Sequence, residues 1–162
     1  MDMNPKSAGR LSTFLVEAKR RTYAGLDDNA TVSARIFPGS KQLEYREHDL
    51  SYRDIYFGMM YFVGQEIVEA DERVIWSMSY AGGLSPGITD RGEALAIYAF
   101  LREGLLRIQT DRPFRGPLLF EEGHFQYVNA SKGDVSEFRG EEEIYRSGTR
   151  VYGLLYNGGI IR

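Results

Sequence analysis

Two stretches of the chain alternate apolar and polar residues with a period of two, which is typical of β-strands that pack one face on a core. Further strands are predicted just before them, near residues 62–69 and 138–145, and the polar pairs at residues 71–72 and 147–148 predict a hairpin turn in each case. The residues predicted to share one face are Val74, Trp76, Met78 and Tyr80 in the first stretch and Arg150, Tyr152, Leu154 and Tyr156 in the second.

Two helices are predicted, each upstream of a group of strands. Apolar residues recur at helical spacing over residues 11–18 and again over residues 94–108. Ser7 or Asn4 is the predicted N-cap of the first helix, and Asp90 begins a predicted capping box for the second.

The two halves of the sequence resemble each other. A shift of 75 aligns residues 43–52 with 118–127, and a shift of 76 aligns residues 62–83 with 138–159. The identical pairs in the longer block are Phe62 and Phe138, Gly64 and Gly140, Glu66 and Glu142, Tyr80 and Tyr156, Gly82 and Gly158, and Gly83 and Gly159. Glycines and aromatic residues that coincide in order indicate an internal duplication.

The fold class predicted from these patterns is α+β. We expect an internally duplicated αββββ + αββββ chain, with a mainly antiparallel sheet, one helix per repeat, repeat 1 at about 8–83 and repeat 2 at about 90–162. Four short strands and one helix form too small a core to be stable alone, so we predict that residues 1–162 form a single pseudo-symmetric domain. The irregular stretch 27–42 is a candidate for an additional edge strand. The earlier strands of each repeat are expected near residues 43–47, 50–57, 118–122 and 124–130.

The composition excludes several kinds of chemistry. The chain has no Cys and only two His, His48 and His124, so disulfides, thiolate zinc sites and cysteine nucleophiles are excluded, and no metal or cofactor is expected. A net charge of −3 disfavours a nucleic-acid partner. Because the sequence shows neither a secretory signal nor an apolar run of about 18 residues, we expect a cytoplasmic protein with no membrane association.

Residues 83–87 fit the G-x-S-x-G pattern of serine hydrolases, but the backbone chemistry excludes this function. The residue after the serine must donate its N–H to the oxyanion, and here that residue is Pro86, which has no N–H. No catalytic residue is therefore assigned.

Glu66 and Glu142 occupy equivalent positions on the apolar face of a predicted strand. A buried carboxylate must be paired or protonated, because burial disfavours its charge. One interpretation makes them structural anchors that accept hydrogen bonds from an Arg or a Tyr hydroxyl. The others make them ligand-facing acids, or the acid/base pair of an enzyme.

Aromatic residues make up 13% of the chain, and 11 of them are Tyr. Tyr offers a large contact area with a polar tip, which suits recognition as well as packing. With the two acids, the candidate ligand-binding residues are Glu66, Tyr52, Tyr56, Trp76, Tyr80 and Glu142.

Several segments together resemble a prokaryotic family of domains of unknown function whose members occur alone or behind an XRE-type helix-turn-helix domain. The segments are TYAG from Thr22, GSKQLEY from Gly39, YRDIYFG from Tyr52, FVGQEIV from Phe62, VIWSMSYAGG from Val74, PFRGP from Pro113 and EEIYRSGTRVYGLLYNGG from Glu142. The resemblance implies a self-contained domain with no recognised catalytic residues. It implies no DNA binding, because the helix-turn-helix part is missing from this sequence.

Three functions are consistent with the sequence. The first is a small-molecule or peptide binding and sensing domain with a regulatory use. The second is a protein interaction or dimerisation domain, with a protein partner or a second copy of the chain. The third, an enzyme that uses Glu66 and Glu142, ranks last, so the sequence favours a non-enzymatic function.

Overall fold

Two helices and eight strands make up the fold in the computed structural model, which describes residues 5–24 and 35–162. The elements are α1 (Pro5–Arg21), β1 (Lys41–Glu47), β2 (Leu50–Gly58), β3 (Tyr61–Ala70), β4 (Arg73–Leu84), α2 (Arg91–Leu105), β5 (Leu119–Glu122), β6 (Phe125–Asp134), β7 (Glu137–Arg146) and β8 (Thr149–Ile160). This α+β class was predicted from the sequence.

The eight strands form one antiparallel sheet in the order β1-β2-β3-β4-β8-β7-β6-β5. The last strand of the N-terminal half therefore pairs with the last strand of the C-terminal half. At the centre of this β4–β8 seam Tyr80 lies opposite Tyr156. Gly82 and Gly158 lie at equivalent places on the seam, where an added Cβ would come within 2.5 Å of Leu154 Cα and 2.8 Å of Met78 Cα, respectively.

Equivalent strands of the two halves match in detail. β3 and β7 are each ten residues long and have the same sequence of buried and exposed positions, and β4 and β8 are each twelve residues long. The strand register shifts after Val68 in the first half and after Ile144 in the second.

These register shifts correct one sequence expectation. Val74 and Arg150 were predicted to face the same way as Trp76 and Tyr152, yet both are exposed. In each hairpin the strand carries one extra residue between the two positions, and such a bulge turns the following side chain to the other face.

The core lies between the two helices and one face of the sheet. Trp76 is fully buried there, stacks on Phe138 of the other half, and donates from Nε1 to the Val135 carbonyl oxygen at 3.1 Å. Side chains of both helices, among them Leu15 and Leu101, join the same apolar cluster. One core therefore connects the two halves.

The helix boundaries partly follow the sequence. Asp90 caps α2, where its side chain accepts from the backbone N–H of Glu93 as predicted. The predicted cap Ser7 is wrong, because α1 already begins at Pro5, a residue suited to the first helical turn. Asn4 and residues 27–34 of the stretch 27–42 lie outside the described residues, residues 35–40 form no strand, and the first strand begins at Lys41. In the described part of the chain no helix is long and apolar enough to cross a membrane.

Candidate functional site

A cavity of about 200 Å³ lies between the sheet of the N-terminal half and the start of α2. Among the described lining residues five are aromatic and four are charged, with Asp54 and Arg115 buried at the floor and Lys41 and Arg91 at the mouth. The lining residues are Tyr23, Lys41, Asp54, Tyr56, Gly58, Met59, Phe62, Tyr80, Arg91, Leu95, Tyr98 and Arg115.

Asp54 is a buried acid of this cavity. It lies on β2, directly opposite Glu66 on β3, and only 3% of its surface is exposed. The Tyr80 hydroxyl donates to Asp54 Oδ1 at 2.6 Å. Burial, together with the negative charge of Glu66, raises the pKa of Asp54 to about 7, although the Tyr80 hydrogen bond and the nearby cations oppose the shift. Near neutral pH the carboxyl group can therefore be either a hydrogen-bond donor or an anion.

Arg115 provides a buried positive charge in the same cavity. Its side chain forms an ion pair with Glu142 at 2.5 Å, and its guanidinium lies 5.8 Å from the centre of the Tyr80 ring. The Nε–H of Arg115 is buried and has no hydrogen-bond acceptor in the described part of the chain. An unsatisfied buried N–H is costly, and the positive charge of the guanidinium makes the cavity suited to an anionic group.

Glu66 and Glu142 are both held by donors of the protein. Lys19 of α1 forms an ion pair with Glu66 and also donates to the Phe114 carbonyl oxygen at 2.7 Å. Glu142 accepts from Arg115 and, in addition, from the hydroxyls of Tyr127 at 2.6 Å and Tyr152 at 2.8 Å. Burial raises the pKa of both tyrosines well above 10, so they act as neutral donors.

A smaller void of about 20 Å³ lies beside the cavity and shares Tyr23, Asp54 and Arg115 with it. Glu66 and Tyr52 belong to its remaining wall. Its volume is close to the minimum that one water molecule requires. Of these two spaces, the larger cavity is therefore the one that can hold a ligand of more than a few atoms.

The structure divides the six candidate binding residues among three environments. Tyr56 and Tyr80 line the cavity, and Tyr52 and Glu66 line the small void. Trp76 and Glu142 line neither of these two spaces and are fully buried.

Glu66 and Glu142 are not neighbours in the sheet. They lie on β3 and β7, and the strands β4 and β8 stand between them. β3 and β7 are three strand spacings, roughly 14 Å, apart, and the two acids are also offset along the strands, because the register places Glu66 level with Phe138 and not with Glu142. With Lys19 and Arg115 engaging one acid each, this arrangement gives no support to a shared acid/base reaction.

The charged lining residues were not predicted from the sequence, although a difference between the two halves marks one of them. Asp54 aligns with Asn129 under the shift of 75, so the two halves differ in charge at an otherwise matched position. Lys41, Arg91 and Arg115 come from separate segments, and nothing in their spacing predicts that they meet.

The equivalent region of the C-terminal half is filled by a side chain of the protein. Phe138, the counterpart of Phe62, is covered by the Phe114 ring, whose centroid lies 3.9 Å away. The hydrogen bond from Tyr156 to Asn129 Oδ1, at 2.7 Å, repeats the one from Tyr80 to Asp54. The polar framework is therefore present in both halves, while the Phe62 ring borders an open cavity.

Neither histidine contributes to the cavity lining. His48 and His124 are exposed at the two β-hairpin turns β1–β2 and β5–β6, and His48 adopts a positive φ of 55°. Within residues 5–24 and 35–162, no group of three or more His, Asp or Glu residues is placed to hold a metal ion.

The fold and the cavity define a class: an α+β protein whose two helices cover one face of an antiparallel sheet, with a mixed aromatic and charged cavity in its N-terminal half. The profile of a family described as a domain of unknown function, DUF5680, matches residues 54–161, and the chain belongs to this family. The matched region contains Asp54 and Arg115, whereas Tyr23 and Lys41 precede it. No curated protein and no solved structure matches the chain.

Proposed function

We propose that this protein binds a small ring-containing organic molecule in the cavity of its N-terminal half. The observation that carries the proposal is the lining: five aromatic residues surround a buried acid and a buried arginine. Small-molecule sites typically combine an apolar wall with a few polar groups. The volume of about 200 Å³ is below the roughly 300–1,000 Å³ of sites for drug-sized ligands, which favours a small metabolite.

Among the six candidate residues, we propose Tyr56 and Tyr80 as direct ligand contacts. We propose that Tyr52 and Glu66 support the floor from the adjoining void and that Trp76 and Glu142 hold the scaffold. The hydrogen bonds described above support this division, because Glu142 already accepts from three protein groups. No catalytic role is proposed for Glu66 or Glu142.

A regulatory use of this binding is part of the proposal. It is supported by the resemblance to prokaryotic domains that occur alone or behind XRE-type helix-turn-helix domains. A domain in that position commonly senses an effector, and this argument is one of analogy.

We further propose that the two halves arose by duplication of an αββββ unit within a single domain. The equal lengths of β3 and β7 and of β4 and β8, together with the identical burial pattern of β3 and β7, support this origin. After duplication, Phe114 would have closed one half on Phe138, leaving the other half to bind the ligand.

Two matched glycine variants test the binding function. A Cβ at position 64 would overlap the Tyr80 hydroxyl and come within 2.7 Å of Tyr56 Cβ, so Gly64→Ala should distort the cavity. A Cβ at position 140 would overlap Tyr156 in the same way in the other half, so Gly140→Ala is the control.

The measurement is native mass spectrometry of protein purified from its own host. The wild type and Gly140→Ala should retain a small molecule that Gly64→Ala has lost. Equal retention by all three proteins would place the molecule elsewhere and reject the proposed site. Retention by none of them, together with no change in the cavity signals by NMR on adding simple ring compounds, would reject binding itself.

A second candidate function is self-association. The sheet face away from the helices exposes the apolar side chains of Phe57, Val63 and Leu155. They lie in one row across β2, β3, β4 and β8, where Ala81 of β4 pairs with both Val63 and Leu155. We propose a second copy of the chain as its partner. Sedimentation should then show a dimer that Leu155→Asp converts to a monomer, and a monomeric wild type would refute this function.

A further inference from the structure

We propose that the molecule bound in the cavity is a small aromatic carboxylate, so that charge as well as shape selects it. This inference rests on the proposed binding function and adds the chemical class of the ligand.

The charges of the lining have the opposite sign to the charge of the whole protein. The chain has a net charge of −3, yet the charged residues of the lining, within the part of the chain that the structure describes, are three cations, Lys41, Arg91 and Arg115, and one acid, Asp54. The negative charge of Glu142 neutralises the positive charge of Arg115. The lining and this counter-ion therefore sum to +2 with Asp54 neutral and to +1 with Asp54 ionised, and either state attracts an anion.

The two cations at the mouth have no acidic partner among the described residues. Lys41 lies 5.7 Å from the centre of the Tyr56 ring, and Arg91 is exposed at the first turn of α2. Neither forms an ion pair with an Asp or Glu of residues 5–24 or 35–162. An anion at the mouth could therefore approach both without displacing an existing ion pair.

Arg115 adds a third, buried recognition point. Only 6% of its surface is exposed, its Nε–H lacks an acceptor within residues 5–24 and 35–162, and its Nη2 donates to Glu142. The side chain cannot lose its charge and donates from a fixed planar fork. Its permanent positive charge at the wall of the cavity attracts an anionic group such as a carboxylate.

The aromatic residues of the cavity wall indicate the chemical nature of the uncharged part of the ligand. Phe62 packs edge-on or tilted against Tyr56 and Tyr98, at centroid distances of 6.5 and 6.3 Å, so these rings bound the space with apolar surfaces. A flat ring fits such walls, and a volume of about 200 Å³ leaves room for one ring with a short acidic substituent.

Three probes of nearly equal shape test the charge: benzoate, benzamide and benzylamine. Each is titrated into the full chain while the NMR signals of cavity residues are followed at constant ionic strength. Benzoate is expected to bind with a Kd on the order of 1 mM and about tenfold more tightly than either other probe. Raising the salt concentration should reduce this preference, because charges at the mouth are screened.

Two double variants test whether the mouth cations Lys41 and Arg91 cause the preference for benzoate. Lys41→Gln combined with Arg91→Gln removes both mouth cations, and benzoate should then bind no better than benzamide. Lys132→Gln combined with Arg139→Gln removes two exposed cations on β6 and β7 and should leave the preference unchanged.

Each alternative outcome overturns a different statement. Equal binding of the three probes at the cavity would refute the carboxylate preference and leave the proposed binding of ring compounds intact. A benzoate preference that survives in the Lys41/Arg91 variant would refute recognition by the mouth cations. Failure of all three probes to shift any cavity signal would refute the inference and count against the binding function as well.

Discussion

The substitution Asp54→Asn should make the protein more stable above neutral pH. The second half already contains this arrangement, because Asn129 accepts a hydrogen bond from Tyr156 as Asp54 does from Tyr80. Asn keeps the shape and the acceptor oxygen of the carboxyl group. The substitution therefore removes the titration of Asp54 while conserving its hydrogen bond.

The expected magnitude follows from the shifted pKa. Burial and the charge of Glu66 raise the pKa of Asp54 from an ordinary value of 3.8 to about 7, so the folded protein holds a proton that the unfolded chain releases. The stability associated with this proton is fully present below about pH 4 and is lost as the pH rises through about 7. A difference of roughly three pH units, at about 1.4 kcal/mol each, gives a loss of about 4 kcal/mol.

Urea denaturation of the wild type and Asp54→Asn at several pH values between 4 and 8 measures this loss. The difference between their free energies of unfolding should change by several kcal/mol across the range, in favour of the variant at high pH. Asn129→Asp should acquire the same pH dependence, since Asn129 lies opposite Glu142 as Asp54 lies opposite Glu66. Parallel pH profiles of wild type and Asp54→Asn would refute the buried-acid description.

Further predictions concern the core and the anchors. Trp76→Ala should cost about 3–5 kcal/mol of stability, because it deletes a fully buried ring stacked on Phe138, and an unchanged melting temperature would contradict this burial. Glu66→Gln and Glu142→Gln should each cost about 3 kcal/mol in chemical denaturation, since each leaves a buried cation without its counter-charge. A neutral Glu66→Gln beside a destabilising Glu142→Gln would show that Glu66 is a binding acid and not an anchor.

The sequence was informative where structure depends on local pattern. The period of two correctly placed Trp76 and Tyr80 on the buried face, because strand side chains alternate strictly until a bulge intervenes. It misplaced Val74, since nothing in the local pattern shows where an extra residue enters the ladder.

The residues of the cavity were harder to predict from the local sequence pattern. The burial of Glu66 could be predicted from its apolar neighbours, but its partner Lys19 lies 47 residues away on a helix, and only tertiary packing joins them. The same holds for Arg115, which reaches the cavity from the segment after α2. Asp54 was detectable in principle, because it breaks the match with Asn129.

The β4–β8 seam also has a consequence for folding kinetics. Every other neighbouring pair of strands is connected along the chain by a short turn, whereas the seam joins residues 76–84 to residues 152–160. Local hairpins form within microseconds, but pairing segments far apart in sequence requires closing a long loop. The seam should therefore form late and set the folding rate. Gly82→Ala, which crowds Leu154 across the seam, would then lower the folding rate more than it raises the unfolding rate.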